Sequence, residues 1–469
     1  MSGTLGVITS PRGFRMKIMT SRWARLALTL ALATVISHDR PAAAQSGITE
    51  VWVTDQSGTG GRLFIYDAYH LHLSSATAQP EILALDPDID PTTQTVGDVC
   101  LAQTGTAPVR AHMLAMSPGQ THAVLSFVAS GHVAFIEANS RKAVACIDVG
   151  AQAHAAFPSP DGSYVVVANQ NGKLLHRIRT QYQTNTFTLD DTATVNLATC
   201  TTPNGRLCQD AAPTQTNVRP DTAPICPAFD SSGRLLFVTL RGGGMFVMDG
   251  TSTPMRIIAE YDRSTVHPNG CGGLDTRGKM YINSGGGDAA NPTEYDIYSF
   301  PLSGFPASGF TPVNSPAPRV IVSKDNGNHD SHGMLLTREG YLWSADRFAN
   351  AIDVIDTVTD TLVKSFSLEG AVSADPAPDL MVRHPRADYA FVTMRGPCPL
   401  TANAPGTNNA VGATPGIGLI SIDELGLNGR LQARAAINNL DAATPNCAPA
   451  GAPTSNNRAD VHGIAVRFR

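Results

Sequence analysis

The chain is poor in charge and in aromatic surface: 16% of its 469 residues are Asp, Glu, Lys or Arg, and 6% are Phe, Trp or Tyr. Its formal net charge of −5 leaves no basic surplus to neutralise phosphates, so a nucleic-acid partner finds no support. No Cys-x-x-Cys-His stretch is present, which removes covalent haem attachment, and no flavin or nicotinamide fingerprint is recognisable. Gly-x-Ser-x-Gly is missing too, and with it the local signature of a hydrolase nucleophile. Long segments with helical spacing are absent, and beyond residue 44 no apolar run is long enough to span a bilayer. The abundance lies elsewhere: 42 Gly and 32 Pro suit many short strands joined by turns.

Residues 1–44 read as a signal peptide. Arg12, Arg15, Lys17, Arg22 and Arg25 form a basic region, residues 26–36 an apolar core too short to cross a bilayer, and Ala42-Ala43-Ala44 a cleavage site. Met16 is an alternative start. The mature chain, residues 45–469, is then expected to be one periplasmic or secreted domain with no membrane span. Export makes the eight cysteines disulfide candidates. Cys200 with Cys208 and Cys398 with Cys447 are reasonable bridges, whereas Cys100 and Cys146 lie in strand-like runs and read as free, buried thiols.

A short phrase recurs along the chain: His112-Met-Leu-Ala, His154-Ala-Ala-Phe, Cys226-Pro-Ala-Phe, Cys271-Gly-Gly-Leu, His332-Gly-Met-Leu, Asp379-Leu-Met-Val and His462-Gly-Ile-Ala. Each copy opens an apolar run, and most lead through a Gly or Pro turn into a β-rich run. Four strands per unit, at spacings of about 40–50 residues where no insertion intervenes, is propeller periodicity. The ends complement each other. Residues 51–54, 62–68 and 98–103 read as three strands lacking a first, and residues 462–469 as a first strand lacking the others. The predicted fold is therefore all-β: a seven-bladed propeller of four antiparallel strands per blade, closed by joining the two termini. Tyr164-Val-Val-Val-Ala-Asn, Leu235-Leu-Phe-Val-Thr-Leu and Tyr389-Ala-Phe-Val-Thr-Met, with Ser159-Pro-Asp-Gly and Val354-Ile-Asp, resemble the YVTN-type seven-bladed repeat over essentially the whole mature chain. That resemblance implies architecture, not activity.

The first strand of a blade lines the central channel, so equivalent units would place His112, His154, Cys226, Cys271, His332, Asp379 and His462 in one ring near one mouth. All seven are metal-capable. Imidazoles, thiols and a carboxylate favour a borderline or soft transition metal, copper first and zinc second, over Mg²⁺ or Ca²⁺. His329, three residues before His332, is a further ligand or a partner of one, and His267, four before Cys271, has the same standing. Cys226 and Cys271 begin neighbouring strands and can be thiolate ligands or a disulfide. Imidazoles in a narrow channel can also simply bind water and carbonyls. Arg241, Arg347 and Arg395 fall at second-strand ends on the same face, either as solvated loop charges or to orient an anionic or polar substrate. Insertions at 190–225, 397–415 and 440–460 are expected over that mouth as a rim.

The ring is similar in architecture to the copper sites of nitrous oxide reductase and thiocyanate dehydrogenase, which also put His rings in seven-bladed propellers. The similarity implies a copper-dependent oxidoreductase acting on a small molecule, with an external electron acceptor. In that reading Asp379 is a ligand or the base that deprotonates a bound water. A non-catalytic scaffold and a lactonase-like hydrolase are the alternatives.

Overall fold

The computed structural model describes residues 47–57, 61–87, 94–210, 218–285, 295–305, 315–324, 329–397, 411–440 and 457–469. The expected signal peptide, Cys398 and Cys447 lie outside the described residues. Seven antiparallel sheets follow one another around a ring, each ordered from an inner strand outwards. Blade 1 runs Val461–Phe468, Thr49–Asp55, Arg62–Asp67, Glu81–Ala84, so the C-terminal strand pairs with the N-terminal one and no open edge remains between the chain ends. The inner strands of blades 2 to 7 are Ala111–Met116, Ala153–Pro158, Pro224–Phe229, Gly273–Thr276, Ser331–Leu336 and Pro378–Arg383.

The second strands carry the β-branched and aromatic runs, such as Tyr164–Asn169 and Tyr389–Met394, and every residue of both is buried. They sit between faces of neighbouring blades, which explains why they read as continuous apolar runs and not as alternating ones. Packing between blades rests on large side chains; Trp52, Phe127, Phe135, Phe237, Tyr281 and Trp343 are all fully buried. Each such side chain contributes about 1.5–3 kcal/mol relative to exposure.

Two expectations are corrected. Residues 98–103 are not a strand: they belong to a helix, Val96–Thr104, capped by a reciprocal Thr95–Asp98 pair and ended by Gly105 at φ 83°. The Val and Leu content suggested β structure, but the local capping box and the left-handed glycine decide for helix. The outer strand of blade 1 is instead Glu81–Ala84. Nor are Cys100 and Cys146 free; a disulfide with Cα atoms 4.9 Å apart ties this helix to the outer strand of blade 2, Lys142–Asp148. Cys200–Cys208 forms as expected, with Cα atoms 5.3 Å apart. The described part of the 190–225 insertion packs between blades 3 and 4, burying Ala193, Leu197 and Cys208 against Leu175, Leu240 and Phe246.

A bulge recurs at the channel mouth. Ala111 pairs Phe127 but Leu114 pairs Leu125, so the inner strand holds one residue more than its partner there. The same one-residue excess occurs at 153–155, 224–227, 331–334, 378–381 and 461–464. Six inner strands therefore bend where the metal-capable residue sits, and a bulge turns such a side chain away from the ordinary pleat. Polar side chains of the second strands bind the bent backbone of the next blade. Thr54 donates to the His112 carbonyl at 3.0 Å, Ser126 to that of His154 at 3.1 Å, and Asn283 to that of His332 at 3.0 Å.

At three places adjacent strands approach so closely that the glycine after the ring position, Gly272, Gly333 or Gly463, leaves no room for a side chain. A Cβ on Gly333 would stand 2.2 Å from the Asp379 carbonyl oxygen, and one on Gly463 would stand 2.3 Å from that of His112. Gly333→Ala is expected to destabilise the protein by about 1–3 kcal/mol through forced strand separation. Gly370→Ala, where nothing lies within 4 Å, is expected to be near neutral. Urea unfolding of both variants checks this, and equal midpoints would contradict the close approach.

Candidate metal centre

The structure brings five of the seven ring residues into one buried group and pairs the other two. Cys226 and Cys271 form a disulfide, with Cα atoms 5.0 Å apart across neighbouring inner strands. The disulfide alternative is thus the one adopted, and it removes two thiolates from the ligand set. On the rest of the ring the imidazoles are in contact: the His112 and His462 rings stack at 4.1 Å, His332 and His462 at 5.1 Å, and His154 meets His112 edge-on at 4.5 Å.

Each imidazole has its Nδ1 against an acceptor. His112 Nδ1 lies 2.7 Å from Gln56 Oε1, and His154 Nδ1 lies 2.9 Å from the Ile225 carbonyl. His332 Nδ1 is 2.7 Å from Asp379 Oδ1, and His462 Nδ1 is 2.7 Å from Asp379 Oδ2. A carbonyl and a carboxylate can only accept, so these nitrogens carry the protons; at His462 the 2.7 Å carboxylate contact decides over Arg395 Nη1, a donor at 3.3 Å. The Gln56 orientation is fixed independently, because its amide nitrogen donates to Asp460 Oδ2 at 2.8 Å. In the neutral ring the other nitrogen, Nε2, is then a bare lone pair.

Two consequences follow. His112 Nε2 and His154 Nε2 stand 3.2 Å apart with no proton to share. His462 Nε2 is buried without a hydrogen-bond partner. Protonating the rings would relieve the conflict, but the surroundings oppose it. Burial, with the neighbouring His332, holds His154 down to about 3; burial holds His462 down to about 3 even though Asp379 pulls upward. Burial and the adjoining imidazoles hold His112 well below its ordinary value, and burial lowers His332. Lone pairs facing each other between buried imidazoles suit a shared cation. Two imidazole nitrogens at about 2.0–2.1 Å from one tetrahedral metal are about 3.3 Å apart, close to the spacing seen here. The His112 and His154 nitrogens therefore fit as two ligands of one metal ion.

Asp379 is positioned to orient ligands. Besides the two imidazoles it receives Arg395 Nη1 at 2.7 Å and Arg347 Nη1 at 3.4 Å. Burial alone would raise its pKa, but His462, His332, Arg347 and Arg395 together hold it well below the usual carboxylate range. His332, Asp379 and His462 also offer one ligand atom each within 4.8 Å of one another. The 2.7 Å contacts to both Nδ1 atoms nevertheless match hydrogen bonds that set a ligand's tautomer.

The arginines divide. Arg395, fully buried, joins Asp379 to Asp460 at 2.7 Å on each side, and Arg347 joins Asp379 to Asp330 at 2.8 Å. Both are committed to internal carboxylates. Arg241 stays at the rim, a third exposed, paired with Asp221 at 2.6 Å. His329 lies outside the imidazole group and bonds Asp346, while His267 bonds Asp296. Sequence reasoning passed over Gln56, Asp330 and Asp460. A signal was present: Asp330-Ser-His332-Gly and Asp460-Val-His462-Gly repeat an acid two residues before a ring imidazole.

Comparison with known proteins supports the architecture. A protein from Lactobacillus plantarum is similar in structure over 90% of this chain and 99% of its own, at 12% identity and a TM-score of 0.53. A candidate 6-phosphogluconolactonase from Bacteroides fragilis matches over 91% of this chain and 99% of its own, at 12% identity and a TM-score of 0.51. Hydrazine synthase from Kuenenia stuttgartiensis covers 67% of this chain and 77% of its own, at 13% identity and a TM-score of 0.47. For the first two, at 12% identity, the likeness is one of fold. No family model matches the chain, and no curated protein matches it.

The depressed imidazoles make a pH prediction for metal-free protein. His154 and His462 sit near 3 when folded and near 6.5 when unfolded, so between those values the unfolded chain binds more protons. Stability is expected to fall as pH drops from about 6.5, by up to about 1.4 kcal/mol per pH unit for each of the two. Urea unfolding at pH 7, 6 and 5 in a chelator checks it; a flat profile would contradict the assignment.

Proposed function

We propose that this chain is an exported propeller whose channel mouth holds a transition metal on the Nε2 atoms of His112, His154, His332 and His462, and that it acts as an oxidoreductase on a small molecule. The observation that carries the reading is the pair of unprotonated Nε2 atoms of His112 and His154 at 3.2 Å, with both Nδ1 atoms already bonded. An all-imidazole set in an exported chain favours copper, with zinc as the alternative, since imidazole suits both. Copper bound there would supply one-electron redox chemistry.

The chain's own groups then have separable tasks. Gln56, Ile225 and Asp379 keep the four Nδ1 protons in place, so the rings present lone pairs without having to release protons on binding. Asp379, held ionised by Arg347 and Arg395, orients His332 and His462 and can take up a proton only if those contacts loosen. An external acceptor receives the electrons in this reading, because no haem, flavin or nicotinamide motif is present in the sequence. The YVTN-type resemblance fits as the repeat class on which the centre is built. Three disulfides support an oxidising compartment, periplasmic or extracellular. Among the described residues no helix is long and apolar enough to cross a membrane.

The test is metal content. Protein loaded with Cu(II) and desalted is expected to retain copper by elemental analysis. His112→Ala/His154→Ala is expected to lose it, and His329→Ala to keep it. Loading is also expected to stabilise the wild type by about 2.7 kcal/mol at a free concentration one hundred times the dissociation constant. Equal copper in the double variant and the wild type would overturn the reading.

A further inference from the structure

Below the imidazole group the channel continues as a cavity of about 380 Å³. Its walls come from the later residues of the inner strands, so it runs from the ring towards the opposite mouth. Met113, Met116, Phe157, Phe229, Met334 and Met381 are among its lining side chains, with Leu114, Leu380 and Ile464. Among all the lining residues only His332 is titratable, and none is charged. Met113 and Met381 are buried at the inner end, whereas Met116, Phe157 and Phe229 are part-exposed further out. Three of the four methionines are part of the repeat, following a ring residue by one or two positions in His112-Met113, His332-Gly-Met334 and Asp379-Leu-Met381.

We propose that this cavity binds a small, neutral, largely apolar organic molecule whose one polar group lies at the end of the cavity that His332 lines. The volume lies within the range of about 300–1,000 Å³ typical of small-molecule sites, and an apolar wall with one placed polar group is the usual composition of such sites. Unbranched thioethers adapt to irregular or flat apolar ligands and make favourable contacts with aromatic rings. An anion is disfavoured there. In the metal-free protein its charge would lose hydration with no charged side chain in the lining to replace it, because Arg347 and Arg395 are not among the lining residues and are bonded to Asp330, Asp379 and Asp460. As a statement about binding the proposal stands on the cavity alone; as a statement about the substrate it rests on the metal-centre reading.

The test therefore uses metal-free, full-length protein at pH 7 with two probes of matched size, 4-ethylphenol, which is neutral, and 4-ethylbenzoate, which is an anion. Calorimetry is expected to show 4-ethylphenol binding at least ten-fold more tightly than 4-ethylbenzoate. Methyl NMR is expected to show 4-ethylphenol shifting the Met113, Met334 and Met381 resonances. Ala115→Phe, which fills the cavity, is expected to weaken 4-ethylphenol at least ten-fold. The methionine shifts in the wild type keep the proposal testable if that variant does not fold. Equal binding of the two probes, or unshifted methionine methyls at saturating 4-ethylphenol, would overturn it. Because no metal is present, failure here is separate from failure of the copper-retention test.

Discussion

At the mouth of the channel one buried carboxylate, Asp379, accepts hydrogen bonds from two imidazoles while two guanidinium groups lie against it. Burying a charge is costly unless its partners are in place, and a half-made network is worse than an apolar core. Here the network extends on both sides, through Arg395 to Asp460 and Gln56, and through Arg347 to Asp330. Several of its links join one blade to the next, His332 and Arg347 of blade 6 to Asp379 of blade 7, His462 of blade 1 to Asp379, and Gln56 of blade 1 to His112 of blade 2, so contacts that close the ring also fix which imidazole nitrogen bears a proton. The direction of the Nε2 lone pairs is a consequence of how the blades are joined.

The ring has two unlike halves. Between blades 4 and 5 the join at this level is covalent, through Cys226 and Cys271. From blade 6 round to blade 3 it is polar, made of imidazoles, carboxylates and arginines. Every ring residue except Cys271 sits at the same local device, a one-residue bulge at the start of the inner strand. The glycines at 333 and 463 then let adjacent strands close to within contact of carbonyl oxygens. Metal-capable chemistry and tight packing thus occupy the same short phrase of sequence.

That phrase made the fold legible. Its spacing marks the blades, and the complementary ends require blade 1 to combine Val461–Phe468 with Thr49–Asp55. It also named the residues that meet at the mouth, because a repeat puts equivalent positions at one level. The roles within the group were less legible, since they depend on side-chain direction. Asp379 reads as a ligand or a base by residue type, and only its position against two Nδ1 atoms makes it an orienting group. Arg395 reads as a substrate contact until its guanidinium is found between Asp379 and Asp460. Gln56 could not be found at all, because its link to His112 crosses from blade 1 to blade 2 with no sequence pattern behind it. Where the fold was misread, at Val96–Thr104, a local capping signal outweighed β-prone composition.

The account's central claim is the shared tautomer: four neutral imidazoles, each with its proton on Nδ1. Long-range ¹H–¹⁵N correlation of ¹⁵N-histidine-labelled, metal-free protein at pH 7 measures it directly. The account predicts that His112, His154, His332 and His462 all show a protonated Nδ1 and a bare Nε2. A protonated Nε2 on His112 or His154 would turn their 3.2 Å contact into an ordinary hydrogen bond and contradict the metal centre.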